Sequence, residues 1–318
     1  MNVNRNIKNS FIFDNIMLLR ALILVLVLSA SFGASAQKKN IAEALKALQA
    51  EDLTTSKQLI DSASAHPETK DLATTWYYKG FVYKKIYNQQ EKSNKQSEAR
   101  IESVNSFKRF FELDTLGELY ETAFKSTKYL ASTFYNDAAT SLNPEGYAMA
   151  IENFERHKET MRIIESDYDF SSLEIQFYLV LGQVYNQIYE QDRETNKDFY
   201  IKTQDTYEYV IRLDSNNLSA NYNLGILHYN EAVNIIKNLD YDLDLITLEL
   251  IQDECVQLFK NSLPFMQKAY ELNPKRKETL IGLSGIYFSL NEMEKSQEIQ
   301  KLLEDIEKIE KYENQGGQ

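Results

Sequence analysis

The stretch that decides the fold runs from Leu213 to Tyr229 and reads LDSNNLSANYNLGILHY. Its pattern returns from Leu272 to Phe288 as LNPKRKETLIGLSGIYF. Each copy ends one helix with Leu-Asp or Leu-Asn and crosses a few polar residues. It then opens the next helix with a large residue, a Gly or Ser, and an aromatic residue at fixed offsets. Such recurrence is typical of a helix-turn-helix repeat.

The composition agrees with a helical protein. The 318 residues include 43% hydrophobic and 26% charged residues, but only 10 Gly and 4 Pro. Because Gly and Pro are the residues that most often break helices, so few of them leave room for few turns and favour long helices.

The N-terminus predicts export. Three basic residues, Arg5, Lys8 and Arg20, precede an apolar run over 21–28, and the small residues Ala-Ser-Ala follow at 34–36. This order is that of a secretory signal peptide over 1–36, with cleavage before Gln37 and a periplasmic or secreted location. An uncleaved membrane anchor is the alternative, although the uncharged stretch of 21–36 is shorter than the ~20 residues that span a bilayer.

The mature chain would be strongly acidic. Removal of 1–36 leaves 32 Lys and Arg against 46 Asp and Glu, a net charge of −14. Nucleic acid is a poor partner for such a surface, so we expect none. The single cysteine, Cys255, cannot form an internal disulfide, and we interpret it as a small core residue.

A family resemblance becomes specific at Trp76, Gly80 and Tyr83. Their spacing, W-x3-G-x2-Y, resembles the first helix (helix A) of a tetratricopeptide repeat (TPR). In that family a small residue lets the two helices of a unit approach closely. We call this position of helix A the small slot. It recurs in five units, at Gly80, Ala131, Gly182, Gly225 and Ser284.

The resemblance implies an all-α fold, a right-handed superhelical array of antiparallel helix pairs. The family places a large residue of the second helix (helix B) 16 residues after the small slot. The corresponding pairs here are Gly80 with Phe107, Gly182 with Tyr207, and Gly225 with Met266, at separations of 27, 25 and 41. We therefore expect longer-than-usual hairpins, with a loop plus an extended helix B in the last of these three.

The chain end predicts a capping helix. Residues 293–312 are highly charged but keep one apolar stripe, formed by Ile299, Leu302, Leu303, Ile306 and Ile309. We expect the TPR-like domain to span 37–312 and residues 313–318 to form a disordered tail.

Motifs for chemistry are missing from the sequence. His66, His157 and His228 fall in three different units, so we predict no metal site, and His228 takes an aromatic packing slot. The run from Asp240 to Asp244 resembles a calcium loop, but Leu245 stands where such a loop needs Gly. We expect no enzymatic activity and no cofactor.

The resemblance also implies a binding face. Family members usually bind ligands on the concave side, which one face of the A helices lines. When the family's concave-face positions are transferred to this sequence, they predict a peptide-binding groove. Its residues are Tyr77, Phe81, Tyr222, Ile226, Tyr229, Ile281 and Phe288. A groove rich in aromatic side chains suits a helix or an extended peptide. The alternative is that these side chains are packing residues or that the chain itself fills the groove.

Two functional hypotheses remain open. The first is a non-enzymatic scaffold that binds a protein or peptide in the cell envelope, with membrane contact only through that partner. The second is a structural or self-associating subunit of an envelope complex. An enzyme with an unrecognised site is a third, weaker hypothesis.

Overall fold

The computed structural model describes residues 39–115, 117–240 and 242–315. Twelve α-helices and one short π-helical segment account for most of these residues, and no strand occurs among them. The proposed signal peptide and residues 316–318 of the proposed tail lie outside the described residues. The all-α prediction is confirmed.

The helices follow one another through short connections. Their bounds are α1 (39–49), α2 (Leu53–Ala65), α3 (Ala73–Ile86), α4 (Glu98–Leu113), α5 (Tyr120–Thr140), α6 (Tyr147–Ile164), α7 (Ser171–Gln191), α8 (Asp198–Leu213), α9 (Leu218–Lys237), α10 (Leu245–Leu272), α11 (Lys277–Ser289) and α12 (Met293–Gln315).

Consecutive helices pair in antiparallel fashion. In α7 and α8, Tyr178 stacks edge-on against Tyr209 while Tyr185 contacts Phe199, so the start of one helix meets the end of the next. Extensive contacts of this kind join α3 to α4, α9 to α10 and α11 to α12. Each pair is a TPR-like helical hairpin.

The chain divides into two compact units. Among the described residues, the first comprises 39–138 and 151–168, and the second comprises 139–150 and 169–315. The described core of the first unit is built largely from α2 to α5, and that of the second from the hairpins that follow residue 169.

Close approach at the small slot determines the α3–α4, α7–α8 and α9–α10 hairpins. A Cβ atom added at Gly80 would lie 2.6 Å from the Phe107 ring, and one added at Gly182 would lie 2.5 Å from the Tyr207 ring. At Gly225 the nearest atom would be Met266 Cγ, also at 2.5 Å. The three helix-B partners predicted from sequence spacing are therefore confirmed.

A polar contact accompanies the small slot. The hydroxyl of Ser103 donates to the carbonyl of Gly80 at 2.8 Å, and that of Ser262 donates to the carbonyl of Gly225 at 2.6 Å. Three further side chains make the same kind of hydrogen bond to a backbone carbonyl. The pairs are Ser56 with the carbonyl of Ala44, His157 with that of Ala131, and Ser296 with that of Ser284. These bonds attach helix B to the backbone of helix A where the helices are closest.

The hairpins are tall for the reason that the sequence predicts. In the first insertion, α3 continues as a π-helix over Tyr87–Glu91 before a loop leads into α4. In the second, α7 extends to Gln191 and has 21 residues. In the third, residues 238–240 and 242–244 contain no helix and precede α10, which has 28 residues and is capped by Asp244 through the amide of Thr247.

Arg100 holds the tall end of the α3–α4 hairpin. It is fully buried, and its guanidinium donates to the Asp137 carboxylate at 2.6 Å, to the Lys95 carbonyl at 2.7 Å and to Asn153 at 3.2 Å. The guanidinium carbon lies 3.9 Å from the centroid of the Phe134 ring. One ionic side chain thus joins α4 to α5 and α6.

The terminal helix is longer than predicted, and less of its apolar stripe is buried. It continues to Gln315, three residues beyond the predicted boundary at 312. Its stripe is also narrower than expected, because Ile299 is buried whereas Leu302 and Ile309 are exposed. The α11–α12 turn is tight, and Asn291 adopts the left-handed backbone conformation that such turns require.

We predict that Gly182→Leu destabilises the second unit. The added side chain would have to displace the Tyr207 ring, so we expect a loss of about 1–3 kcal/mol or more in the free energy of unfolding. Gln187→Leu, at an exposed position of the same helix, is the control and should change stability little. Chemical denaturation measures both, and equal effects would contradict the close contact.

Candidate protein-binding surface

The first unit carries two of the predicted groove residues. Tyr77 is only 8% exposed, with its ring 4.8 Å from that of Phe81 and 5.5 Å from that of Phe110. Pairing of α3 with α4 thus encloses Tyr77, contrary to the expectation that it lines an open groove. Phe81 is half-buried, and the Lys84 ammonium lies 4.6 Å from its ring centroid.

Three predicted groove residues on α9 are half-buried. Tyr229 packs against α11, where a Cβ at Gly285 would lie 2.5 Å from its hydroxyl oxygen, and Ile226 lies beside Gly282. The Arg276 guanidinium stacks over Tyr222 at 3.8 Å from the ring centroid. These side chains therefore contribute to packing between α9 and α11 and present only part of their surface.

Two predicted groove residues on α11 are exposed. Ile281 is 59% exposed and Phe288 is 60% exposed, and they are seven residues apart on one face of the helix. Exposed apolar side chains of this size offer contact area to a partner. The prediction of a peptide-binding groove along the A helices stays a prediction, with these two side chains as its most accessible part.

An amide cleft lies between α7 and α9 and was not predicted from the sequence. It has a volume of about 140 Å³ and contains four carboxamides, contributed by Gln183, Asn186, Asn223 and Asn230. Each carboxamide carries both donors and an acceptor, the same groups that a peptide unit offers. The cleft can therefore form paired hydrogen bonds with the backbone of an extended chain.

The amide cleft is uncharged at neutral pH. Its remaining lining residues are Tyr207, Ile226 and Leu227. Burial raises the pKa of the Tyr207 phenol, opposed by a hydrogen bond with Asn223, so the phenol keeps its proton. Recognition there would depend on hydrogen bonds and shape rather than on charge.

A larger cavity in the first unit has a different character. It occupies about 560 Å³ between α4 and α6, with Lys108, Arg156 and Arg162 at its edge. Part of this basic rim is neutralised within the chain, because Arg156 donates to Glu152 at 3.0 Å and Glu159 also lines the cavity. We therefore place the candidate binding site on the second unit.

The calcium-loop alternative is not supported by the geometry. Asp244 caps α10, and Asp240 accepts a hydrogen bond from the amide of Asp242, as in an ordinary polar loop. Within the described residues, no group of three or more His, Cys, Asp or Glu side chains could hold a metal ion.

No helix in the described part of the chain is long and apolar enough to cross a bilayer.

Two histidines serve packing. His228 is 4% exposed, and its Nδ1 lies 2.6 Å from the Tyr200 hydroxyl, which confirms its predicted role. His157 is 7% exposed and donates from Nδ1 to the Ala131 carbonyl at 2.9 Å. Burial lowers the pKa of both imidazoles below the usual value, so the folded protein disfavours their protonation.

We predict that stability falls below about pH 6.5, where unfolded histidines take up protons that the folded ones resist. Each buried histidine should contribute up to about 1.4 kcal/mol per pH unit. In urea unfolding between pH 7.5 and 5.5, His228→Phe should show a smaller slope of stability against pH than wild type. An unchanged slope would show that His228 does not titrate with unfolding.

Comparison with known proteins finds only distant structural similarity. No family model and no curated protein matches the chain. Similar solved structures include the MamA protein, at 12% identity and a TM-score of 0.30 over 72% of this chain and 92% of that one. YrrB, described as a TPR protein with an unusual peptide-binding site, aligns at 15% identity and a TM-score of 0.24, covering 76% and 89%.

A third structure, a monomeric IFIT1 mutant with Gppp-AAAA, aligns at 12% identity and a TM-score of 0.32, covering 83% of this chain and 68% of that one. At these TM-scores the similarity does not extend to any ligand or role. The TPR-like character of this chain follows from its own helix pairs and small slots. The expectations of export and of no nucleic-acid partner stay predictions.

Proposed function

We propose that this chain is a non-enzymatic TPR-like scaffold of the cell envelope that binds an extended polypeptide along the A helices of its second unit. The amide cleft carries the proposal. Four carboxamides from two neighbouring A helices converge there, and they match the hydrogen-bonding groups of a peptide backbone.

The surrounding surface supports a polypeptide ligand. Ile281 and Phe288 expose apolar area on α11, the A helix that packs against α9. Amides would hold the backbone of the ligand, and apolar side chains would select among its side chains. The strong net negative charge of the protein further disfavours nucleic acid and anionic lipid as ligands.

We predict that removing the amides weakens binding without unfolding the protein. The test variant replaces Gln183 with Met, Asn186 with Leu and Asn230 with Leu, which keeps side-chain size but removes hydrogen-bonding groups. Asn223 is retained because it bonds Tyr207. Three lost hydrogen bonds, each contributing about 0.5–1.5 kcal/mol, should weaken peptide binding by about tenfold or more.

The ligand for this test is obtained by photo-crosslinking. A photoreactive residue at position 183 should capture a polypeptide in intact cells, and the captured segment, as a synthetic peptide, is then titrated by calorimetry. The matched control replaces exposed amides outside the cleft, with Gln187→Met, Gln257→Met and Asn261→Leu. Equal binding by both variants, or crosslinks only within the protein itself, would contradict the proposal.

Self-association is the second candidate function, favoured by the exposure of Ile281 and Phe288. Light scattering distinguishes it from the first. A stable oligomer that dissociates when Phe288 is replaced with Ser would favour a structural subunit.

We further predict that the mature protein begins at Gln37. The basic residues, apolar run and small residues of 1–36 have the order that signal peptidase recognises. N-terminal sequencing of protein from the envelope fraction measures this directly. Recovery of a chain that retains residues 1–36 would contradict cleavage and favour a membrane anchor.

A further inference from the structure

A second concave surface lies at the tip of the α9–α10 hairpin. This tip groove has a volume of about 460 Å³ and runs between the end of α9 and the first half of α10. Its apolar lining residues are Ile236, Leu239, Leu248, Ile251, Cys255, Val256 and Phe259. It uses none of the residues of the amide cleft.

The tip groove is apolar at its floor and partly open to solvent. Cys255 is 5% exposed and Phe259 is 3% exposed, so they form a closed floor, whereas Ile236 at the rim is 51% exposed. From Leu248 to Phe259 the wall extends about 16 Å along α10, or three helical turns. A helix of similar length could place apolar side chains at i, i+3 or i+4, and i+7 along it.

The sequence around the tip groove carries an excess of negative charge. Residues 236–260 contain six acidic residues and only two basic ones, Lys237 and Lys260. All six are exposed: Asp240, Asp242, Asp244, Glu249, Asp253 and Glu254. An apolar groove with an anionic surround attracts an apolar segment that carries positive charge.

We propose that the tip groove binds an amphipathic helix of another protein, whose apolar face is flanked by Lys and Arg. Apolar side chains of that helix enter the groove, and its basic residues are attracted by the excess of carboxylates in this part of the chain. A second copy of this chain would bring its own six carboxylates against the first set, and anionic lipid would likewise be repelled. The charge therefore favours a cationic polypeptide over either.

The probe is a synthetic 15-residue peptide with Leu on one helical face and Lys on the other, labelled with fluorescein. Two controls accompany it. One is a scrambled peptide of identical composition, which keeps the charge but loses the apolar face. The other carries Glu in place of Lys. Fluorescence anisotropy with the mature full-length protein measures binding of all three.

The variants distinguish the groove from general attraction to an acidic surface. The test variant carries Ile236→Gln and Leu239→Gln. The matched control carries Ile246→Gln and Leu250→Gln, two side chains that are 73% and 66% exposed on the face of α10 opposite Cys255. Circular dichroism confirms folding, and Ile236→Gln alone replaces the double variant if that variant is unstable.

We predict that the amphipathic Lys peptide binds wild type and the control variant alike and binds the test variant about tenfold or more weakly. The scrambled and Glu peptides should bind wild type at least about tenfold more weakly than the Lys peptide. Equal loss in both variants, or equal binding of the scrambled peptide, would overturn the proposal. So would a wild-type dimer that dissociates in the test variant, because the occupant would then be a second copy.

Discussion

The close contact between a glycine of the A helix and one large side chain of the B helix is the constraint on which the α3–α4, α7–α8 and α9–α10 hairpins depend. At Gly80, Gly182 and Gly225 there is no room for even a methyl group in the structure as it stands. Insertions of about ten to twenty-five residues are tolerated because they enter beyond this contact, in the tall end of a hairpin. Sequence length can therefore vary widely while the helix pairing is preserved.

The hydrogen bond at the same contact explains the choice of residue on helix B. Ser103 and Ser262 each lie four residues before the side chain that contacts the small slot, Phe107 or Met266, and each donates to the carbonyl of the small residue. Ser296 likewise donates to the carbonyl of Ser284. A buried hydroxyl needs a partner, and the carbonyl next to a glycine is accessible because no side chain covers it. Small residues on helix A and hydroxyl residues on helix B thus belong to one arrangement.

Much of this fold could be predicted from the sequence, because the small slots and their partners leave a periodic pattern. The pairing of Gly182 with Tyr207 follows from counting residues, and so does the long α10. A polar residue also recurs four residues before the large helix-B residue, as in Ser103 before Phe107 and Ser262 before Met266, and this spacing is a further sequence signal of the repeat. The register of the exposed stripe on α12 was less predictable, because Leu302 and Leu303 are adjacent and only packing decides which is buried.

The candidate site was less predictable for a physical reason. Sequence patterns identify aromatic residues on a helix face, but they do not give the depth at which each ring lies. Tyr77 is enclosed by its own hairpin, and Tyr229 lies against a glycine of the next A helix. The amide cleft, in contrast, exists only where α7 and α9 come together. Asn and Gln side chains are common in polar sequence and gain meaning only from that proximity.

The two surfaces of the second unit differ in a way that bears on how they could act together. The amide cleft has no ionised lining residue, so its hydrogen bonds would be little affected by salt. The tip groove lies in a part of the chain with an excess of exposed carboxylates, whose attraction for a cationic helix is screened over about 10 Å at 0.1 M salt. A partner that engaged both would be attracted first by charge at the tip, and then held by contacts that do not depend on charge. Linking the two contacts in one polypeptide would raise affinity beyond that of either alone, provided that the intervening segment spans the distance between them.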